Sequence, residues 1–137
     1  LHTITPLRIE YIRNTIGKNK NSFKNIDILD LGCGGGLTCE PLCRLKSNVT
    51  GIDFISNNIK VAKEHAKESK LNIKYINQDI TSIHLTEKYD LILMLELIEH
   101  LDNWKFVIEN SLKFLKPNGK IIISTINRTF LLIENNI

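Results

Sequence analysis

Several features that would assign this chain to a common class are missing. No apolar run approaches the roughly 20 residues that a membrane-spanning helix requires. No arginine-rich segment interleaved with aromatic residues is present, and the lysines are scattered along the chain. The net charge of +3 therefore favours a solvated surface over a nucleic-acid interface. Residue 1 is leucine rather than methionine, so we expect a fragment of a longer protein.

Cysteine is scarce and lacks the usual metal-binding pattern. Cys33, Cys39 and Cys43 are the three cysteines, and their odd number favours reduced thiols. No pair of cysteines two residues apart is present and no histidine lies close to them in sequence, which argues against a structural zinc site.

Length and patterning predict one α/β domain over residues 1–137. Short apolar runs alternate with longer amphipathic stretches, which is typical of repeated βα units around a parallel sheet. Strands are predicted over 27–31, 48–52, 73–77, 89–95 and 120–126. Helices are predicted over 6–16, from the glycines to about 46, over 56–70 and over 104–115, with Trp104 in the core. The Pro-Asn-Gly at 117–119 is expected to stop the last helix. No element is predicted after residue 128, so the isoleucines at 121–123 would form an uncovered apolar edge.

A glycine cluster follows the first predicted strand. A dinucleotide fingerprint would require its third glycine at position 37 or 39, where none is present, and no Gly-Lys-Ser/Thr of a phosphate loop follows. The pattern present is Asp30 followed by Gly32, Gly34 and Gly36. An acid at this place repels pyrophosphate and suits a cation. The electrostatics favour S-adenosylmethionine, with its sulfonium and ammonium, over NAD.

Further acids end the next two predicted strands. Asp53 and Asp79 follow apolar runs, and the carboxyl ends of parallel strands meet at one edge of a sheet. We therefore expect both near the glycine cluster, with Asp53 accepting hydrogen bonds from ribose hydroxyls. A glycine turn that serves packing alone is the weaker interpretation.

Two carboxylates and an imidazole follow the fourth predicted strand. Glu96, Glu99 and His100 could converge on one divalent cation, or a carboxylate and the imidazole could act as acid and base. Alternatively, the glutamates decorate a loop and His100 caps the next helix.

The glycine cluster with Asp30 and Asp53, and the Leu-Lys-Pro-Asn-Gly-Lys of residues 115–120, resemble the class I S-adenosylmethionine-dependent methyltransferases. Three further stretches narrow the resemblance to the ubiquinone-biosynthesis O-methyltransferases. They are the opening His2-x-Ile4-x-Pro6-Leu7-Arg8, the Glu-x-x-Glu-His at 96–100, and the Ser-Thr-Ile-Asn-Arg ending at Arg128. The likeness covers residues 1–128, nearly the whole chain.

The resemblance implies a Rossmann-like fold with a mostly parallel, doubly wound sheet, truncated after strand five. It implies that Arg8 approaches the methionine carboxylate, that Asp79 meets the adenine, and that Leu95 lines the adenosyl pocket. The expected cofactor-binding residues are Arg8, Asp30, Gly32, Gly34, Gly36, Asp53, Asp79 and Leu95. The implied ligands for a cation such as Mg²⁺ are Glu96, Glu99 and His100, of which His100 and Glu99 are the expected catalytic residues.

The implied reaction is methylation of a hydroxyl on a polyprenylated catechol, including conversion of 3-demethylubiquinol to ubiquinol. The implied partners are this lipid substrate, a membrane surface and other ubiquinone-biosynthesis proteins, without nucleic acid. The implied location is the inner face of a bacterial inner membrane, peripheral and cytoplasmic, or the matrix side in a mitochondrion. Two alternatives stay open: a class I methyltransferase with another small acceptor, and a truncated inactive relative.

Overall fold

The computed structural model describes residues 4–17, 19, 21–127 and 129–136. His2 and Arg128, both part of the resemblance, lie outside these residues, and of residues 4 and 5 only the backbone is described. In this part of the chain, no helix has the length and apolar character needed to cross a membrane.

Six strands form one sheet in the order β3-β2-β1-β4-β5-β6. Strands β1 to β5 run parallel, and β6 is antiparallel to β5. The predicted α/β architecture with a mostly parallel sheet is confirmed. The strand bounds are β1 Asp27–Leu31, β2 Asn48–Asp53, β3 Lys74–Asn77, β4 Tyr89–Leu95, β5 Leu115–Ser124 and β6 Phe130–Glu134.

Helices cover both faces of the sheet. The helix bounds are α1 Ile4–Ile16, α2 Cys39–Arg44, α3 Ser56–Glu68 and α4 Trp104–Ser111, and 3₁₀ turns span Ile80–Ser82, Ile98–His100 and Leu112–Phe114. Alternate residues of β1 enter different cores: Ile28 packs in the cluster with α1, α2 and α3, and Leu29 in the cluster with α4. Burial on both faces is why the parallel strands are nearly continuous in apolar residues.

The start of β5 differs from the prediction. Helix α4 ends at Ser111, and the Pro-Asn-Gly segment lies inside β5 rather than at the end of the helix. The pairing of β4 with β5 shifts register between Tyr89 and Leu91, and Asn118 has a φ of 64°. The irregular segment is held from the far end of the chain, because Asn118 N–H donates to Asn135 O and Asn135 N–H donates to Gly119 O.

The expected truncation of the sheet after strand five is wrong. Residues 130–134 form β6, which pairs residue by residue with Ile121, Ile122 and Ile123 and covers that apolar edge. The outer edge of the sheet is now β6, where Leu131 is 54% exposed and Leu132 is 39% exposed. The core position predicted for Trp104 is also wrong: its side chain is 39% exposed.

Candidate active site

The glycine loop, residues 32–36, joins β1 to the segment before α2. Gly32, Gly34 and Gly36 have φ values of 77°, 55° and 90°, a region that side chains disfavour. The N–H groups of Gly32 and Cys33 donate to Ile52 O at 2.8 and 3.0 Å, which fastens the loop to β2. A side chain at Gly36 would collide with the Tyr75 hydroxyl, whereas at Gly34 no described residue beyond the two chain neighbours has an atom within 4 Å of the corresponding point. The backbone at Gly34 is therefore open to a ligand.

Asp53 ends β2 directly beside this loop. One carboxylate oxygen accepts from Gly34 N–H at 2.9 Å and the other from Ile55 N–H at 2.9 Å. An ionised carboxylate offers about four lone-pair sites, so both oxygens can still accept from ribose hydroxyls. The predicted proximity of Asp53 to the glycines is confirmed by these contacts.

Two apolar residues next to Asp53 were not predicted as site residues from the sequence. Phe54 is 68% exposed and Ile55 is 45% exposed, although they follow a buried strand. Exposed apolar groups beside a hydrogen-bonding carboxylate suit the flat face of a nucleobase. The sequence signal that could have indicated them is the pair of apolar residues directly after Asp53, the acid that ends β2.

Asp30 lies beneath the glycine loop rather than on its open side. Its side chain is 3% exposed and accepts a hydrogen bond from the Cys39 thiol at 3.4 Å. Burial raises the pKa of Asp30 to about 7, against the opposing effects of the Cys39 hydrogen bond and the Arg8 guanidinium. Asp30 would therefore act on a cationic ligand through its charge, from below the loop.

Arg8 of α1 reaches the same edge of the sheet. Its guanidinium forms an ion pair with Glu96 at 2.6 Å. Glu96 follows β4 with a φ of 55°, and its N–H donates to Ser124 O at 2.9 Å. Leu95, the last residue of β4, is 8% exposed. The ion pair thus lies where the ends of β4 and β5 meet.

The predicted metal ligands are not brought together. Glu96 is turned towards Arg8, and the Glu99 carboxylate accepts from Ile126 N–H at 3.0 Å. His100 is exposed on the 3₁₀ turn Ile98–His100. Within the described residues, no three His, Cys, Asp or Glu side chains form a group that could hold a metal ion. This arrangement does not fit a bound divalent cation.

Asp79 follows β3 and caps the next turn. One carboxylate oxygen accepts from the N–H and the hydroxyl of Thr81, at 2.9 and 2.8 Å. These hydrogen bonds, the backbone one first, lower the pKa of Asp79. The side chain is exposed, so this local role leaves a contact with adenine as a prediction.

A cavity of about 310 Å³ lies next to the Arg8–Glu96 ion pair, and both residues form part of its wall. Leu7 and Tyr11 of α1, Ser124 of β5 and Phe130 of β6 line it. The rings of Tyr11 and Phe130 stack with centroids 4.1 Å apart and planes at 11°. Sequence reasoning missed this cavity, because its walls come from opposite ends of the chain.

Comparison with known proteins identifies the family of this fold. Residues 29–123, from β1 into β5, match the methyltransferase domain family. The chain belongs to this family. The match includes the glycine loop, Asp53 and the 96–100 segment, whereas Arg8 and the cavity residues of α1 and β6 lie outside it.

The methyltransferase domain is similar to longer curated proteins. It is 44% identical over 135 residues to the ubiquinone biosynthesis O-methyltransferase of Pelagibacter ubique, covering 94% of this chain and 56% of that protein. It is 43% identical over 129 residues to the protein of the same name from Rickettsia felis, covering 94% and 53%. The chain therefore spans about half the length of the curated relatives it matches.

A solved structure supports the fold assignment. Coclaurine N-methyltransferase, bound to N-methylheliamine and SAH, superposes with a TM-score of 0.71 at 25% identity over 74% of this chain and 31% of that one. The fold is that of the class I S-adenosylmethionine-dependent methyltransferases.

Proposed function

We propose that this methyltransferase domain binds S-adenosylmethionine across the ends of β1, β2 and β4. The observation that carries the proposal is the hydrogen bond from Gly34 N–H to Asp53 beside the open backbone of Gly34. The ribose would bind Asp53, the adenine would pack against Phe54, and the methionine carboxylate would approach Arg8. The Asp30 carboxyl, when ionised, would favour the sulfonium and ammonium groups from beneath.

We further propose that the acceptor is a hydroxyl of a polyprenylated catechol in ubiquinone biosynthesis. The support is the 44% identity to a relative of that name, together with the apolar cavity next to Arg8. Because this acceptor carries a polyprenyl tail, we propose that the enzyme acts at a membrane surface. That surface would be the inner side of a bacterial inner membrane, or the matrix side in a mitochondrion. Other ubiquinone-biosynthesis proteins would be its partners.

The chemistry requires the acceptor oxygen to lose its proton as it bonds to the methyl group that the bound cofactor would supply, while the methyl–sulfur bond breaks and the demethylated cofactor leaves with the electron pair. Glu96 is held by Arg8, and Glu99 by Ile126 N–H. The His100 imidazole makes no hydrogen bond with any other described residue and is exposed beside them. We therefore assign proton removal to His100. We assign to Glu99 the positioning of the backbone at Ile126, which follows β5. No step requires a metal ion.

The cofactor proposal is tested by calorimetry with S-adenosylmethionine and its demethylated product. Asp53→Ala should weaken the affinity for both compounds by about tenfold or more. It removes the acceptors for the ribose hydroxyls and the acceptor for Gly34 N–H. Glu87→Ala is the matched control: Glu87 is an exposed acid that pairs with Lys74 at 3.5 Å, at the opposite ends of the strands. Unchanged affinity in Asp53→Ala would show that the ribose binds elsewhere.

The acceptor proposal is tested by transfer of a labelled methyl group from S-adenosylmethionine to a prenylated catechol. Transfer of the labelled methyl group to the prenylated catechol by the full chain would support the acceptor proposal. Cofactor binding without transfer to any catechol would favour another small acceptor, and absence of cofactor binding would favour the inactive relative.

A further inference from the structure

The cavity beside the Arg8–Glu96 ion pair has features of a ligand site, and Arg8 is the one lining residue that the proposed cofactor site also uses. Its volume of about 310 Å³ is at the lower end of the roughly 300–1,000 Å³ of small-molecule pockets. It lies at the ends of β4 and β5, whereas the glycine loop and Asp53 lie at the ends of β1 and β2. The Arg8–Glu96 ion pair forms part of the cavity wall at the ends of β4 and β5.

One residue that lines this cavity carries a buried hydroxyl with no partner among the described residues. Ser124 is 2% exposed, and its Oγ makes no hydrogen bond with the described part of the chain. Ser111 is equally buried at 2%, but its Oγ donates to Val107 O at 2.6 Å. Because buried polar groups are nearly always paired, an unpaired hydroxyl on a residue that lines a cavity points to a ligand that pairs with it.

Three apolar residues of the lining suit an aromatic ring. Tyr11 and Phe130 form a stacked pair along the cavity, with Leu7 as a further apolar neighbour. Aromatic guests gain both burial and specific ring contacts against such a pair. Of the charged residues in the lining, Arg8 and Glu96 neutralise each other in an ion pair, and Glu10 is a third.

We propose that this cavity binds the aromatic ring of the methyl acceptor, and that Ser124 Oγ hydrogen-bonds one of its ring hydroxyls. This inference rests on the proposed function and adds the residue that selects a hydroxylated ring. The competing occupant is the methionine end of the cofactor, and the experiment separates the two.

The experiment compares Ser124→Ala with Ser111→Ala in the full chain. Affinities are measured by calorimetry, with the demethylated cofactor present, for a catechol bearing a short prenyl chain and for the same compound without its hydroxyls. Wild type should prefer the catechol. Ser124→Ala should weaken catechol binding by about tenfold and leave the hydroxyl-free analogue unchanged, whereas Ser111→Ala should change neither.

Thermal unfolding of the ligand-free proteins supplies a second readout. Ser124→Ala should not lower the melting temperature, because its hydroxyl has no partner to lose. Ser111→Ala should lower it, because Val107 O loses its donor. A melting temperature that drops in Ser124→Ala, with catechol affinity retained, would make Ser124 a structural residue and overturn the inference.

Other outcomes separate the inference from the proposed function. Equal catechol affinity in wild type and Ser124→Ala, or no catechol binding in wild type, overturns the inference even where methyl transfer occurs. Weaker binding of the demethylated cofactor in Ser124→Ala would assign the cavity to the cofactor and also overturn it. Ser124-dependent catechol binding without methyl transfer would support the inference and contradict the proposed function alone.

Discussion

At the scale of single residues, the site depends on which polar groups are already paired. Asp53 is held by two backbone N–H groups, and Glu96 is held by Arg8. Neither pairing follows from the sequence, in which Glu96 and Glu99 look equivalent as metal ligands. The fold separates them because the positive φ at Glu96 turns the chain and places its carboxylate against α1.

Asp30 makes stability depend on pH. Burial raises its folded pKa from 3.8 to about 7, so the folded state binds the proton more tightly than the unfolded state between these values. The free energy of unfolding should therefore fall as pH rises through this window. Between pH 5 and pH 8, the wild type should lose about 2–3 kcal/mol more of its free energy of unfolding than Asp30→Asn does.

Urea unfolding of the ligand-free protein at pH 5 and 8 measures this difference. Asp79→Asn is the control, because the Asp79 pKa is lowered and the group stays ionised across that range. If wild type and Asp30→Asn lose stability equally between the two pH values, the buried carboxyl is not the cause.

At the scale of elements, β5 is fixed at its first residues by an ion cluster. The Lys116 ammonium contacts Asp27 of β1 at 2.7 Å and Asp90 of β4 at 3.1 Å. Asp90 also accepts from Asp27 N–H at 2.8 Å, so three neighbouring strands are joined. The hydrogen bond to Asp27 raises the pKa of Lys116. This cluster lies at the strand ends opposite the candidate active site.

Lys116→Met should therefore reduce stability without affecting the cofactor. The side chain is 38% exposed, so we expect a loss of only about 0.5–1 kcal/mol, smaller at high salt because solvent screens the charges. Urea unfolding at two salt concentrations measures this loss, and calorimetry measures cofactor affinity. Lys113→Met, on the preceding 3₁₀ turn, is the exposed control. A weakened cofactor affinity in Lys116→Met would show that the two edges of the sheet are coupled.

At the scale of the whole molecule, helix α1 and strand β6 meet although they are far apart in sequence. Strand β6 covers the isoleucine edge of β5, and its Phe130 stacks on Tyr11 of α1. Removal of residues 129–137 should expose the backbone of 121–123 and open the cavity at the same time. Uncovered apolar edge strands pair with other chains, so we expect self-association.

Size-exclusion chromatography and thermal unfolding of the shortened chain test this expectation. Leu131→Lys is the matched control, because it changes an exposed side chain of β6 and keeps the strand backbone. A shortened chain that stays monomeric with an unchanged melting temperature would show that β6 is dispensable.

Local chemistry made much of this protein predictable. The bounds of β1 and β4, and the side-by-side placement of the glycine loop and Asp53, follow from apolar runs, glycine freedom and the shared edge of parallel strands. Strand β6, the turn of Glu96 towards Arg8 and the unpaired hydroxyl of Ser124 do not follow from them. These features depend on contacts between residues far apart in the chain, whose partners no periodicity or spacing records. Only packing of the complete sheet decides which polar groups remain free for a ligand.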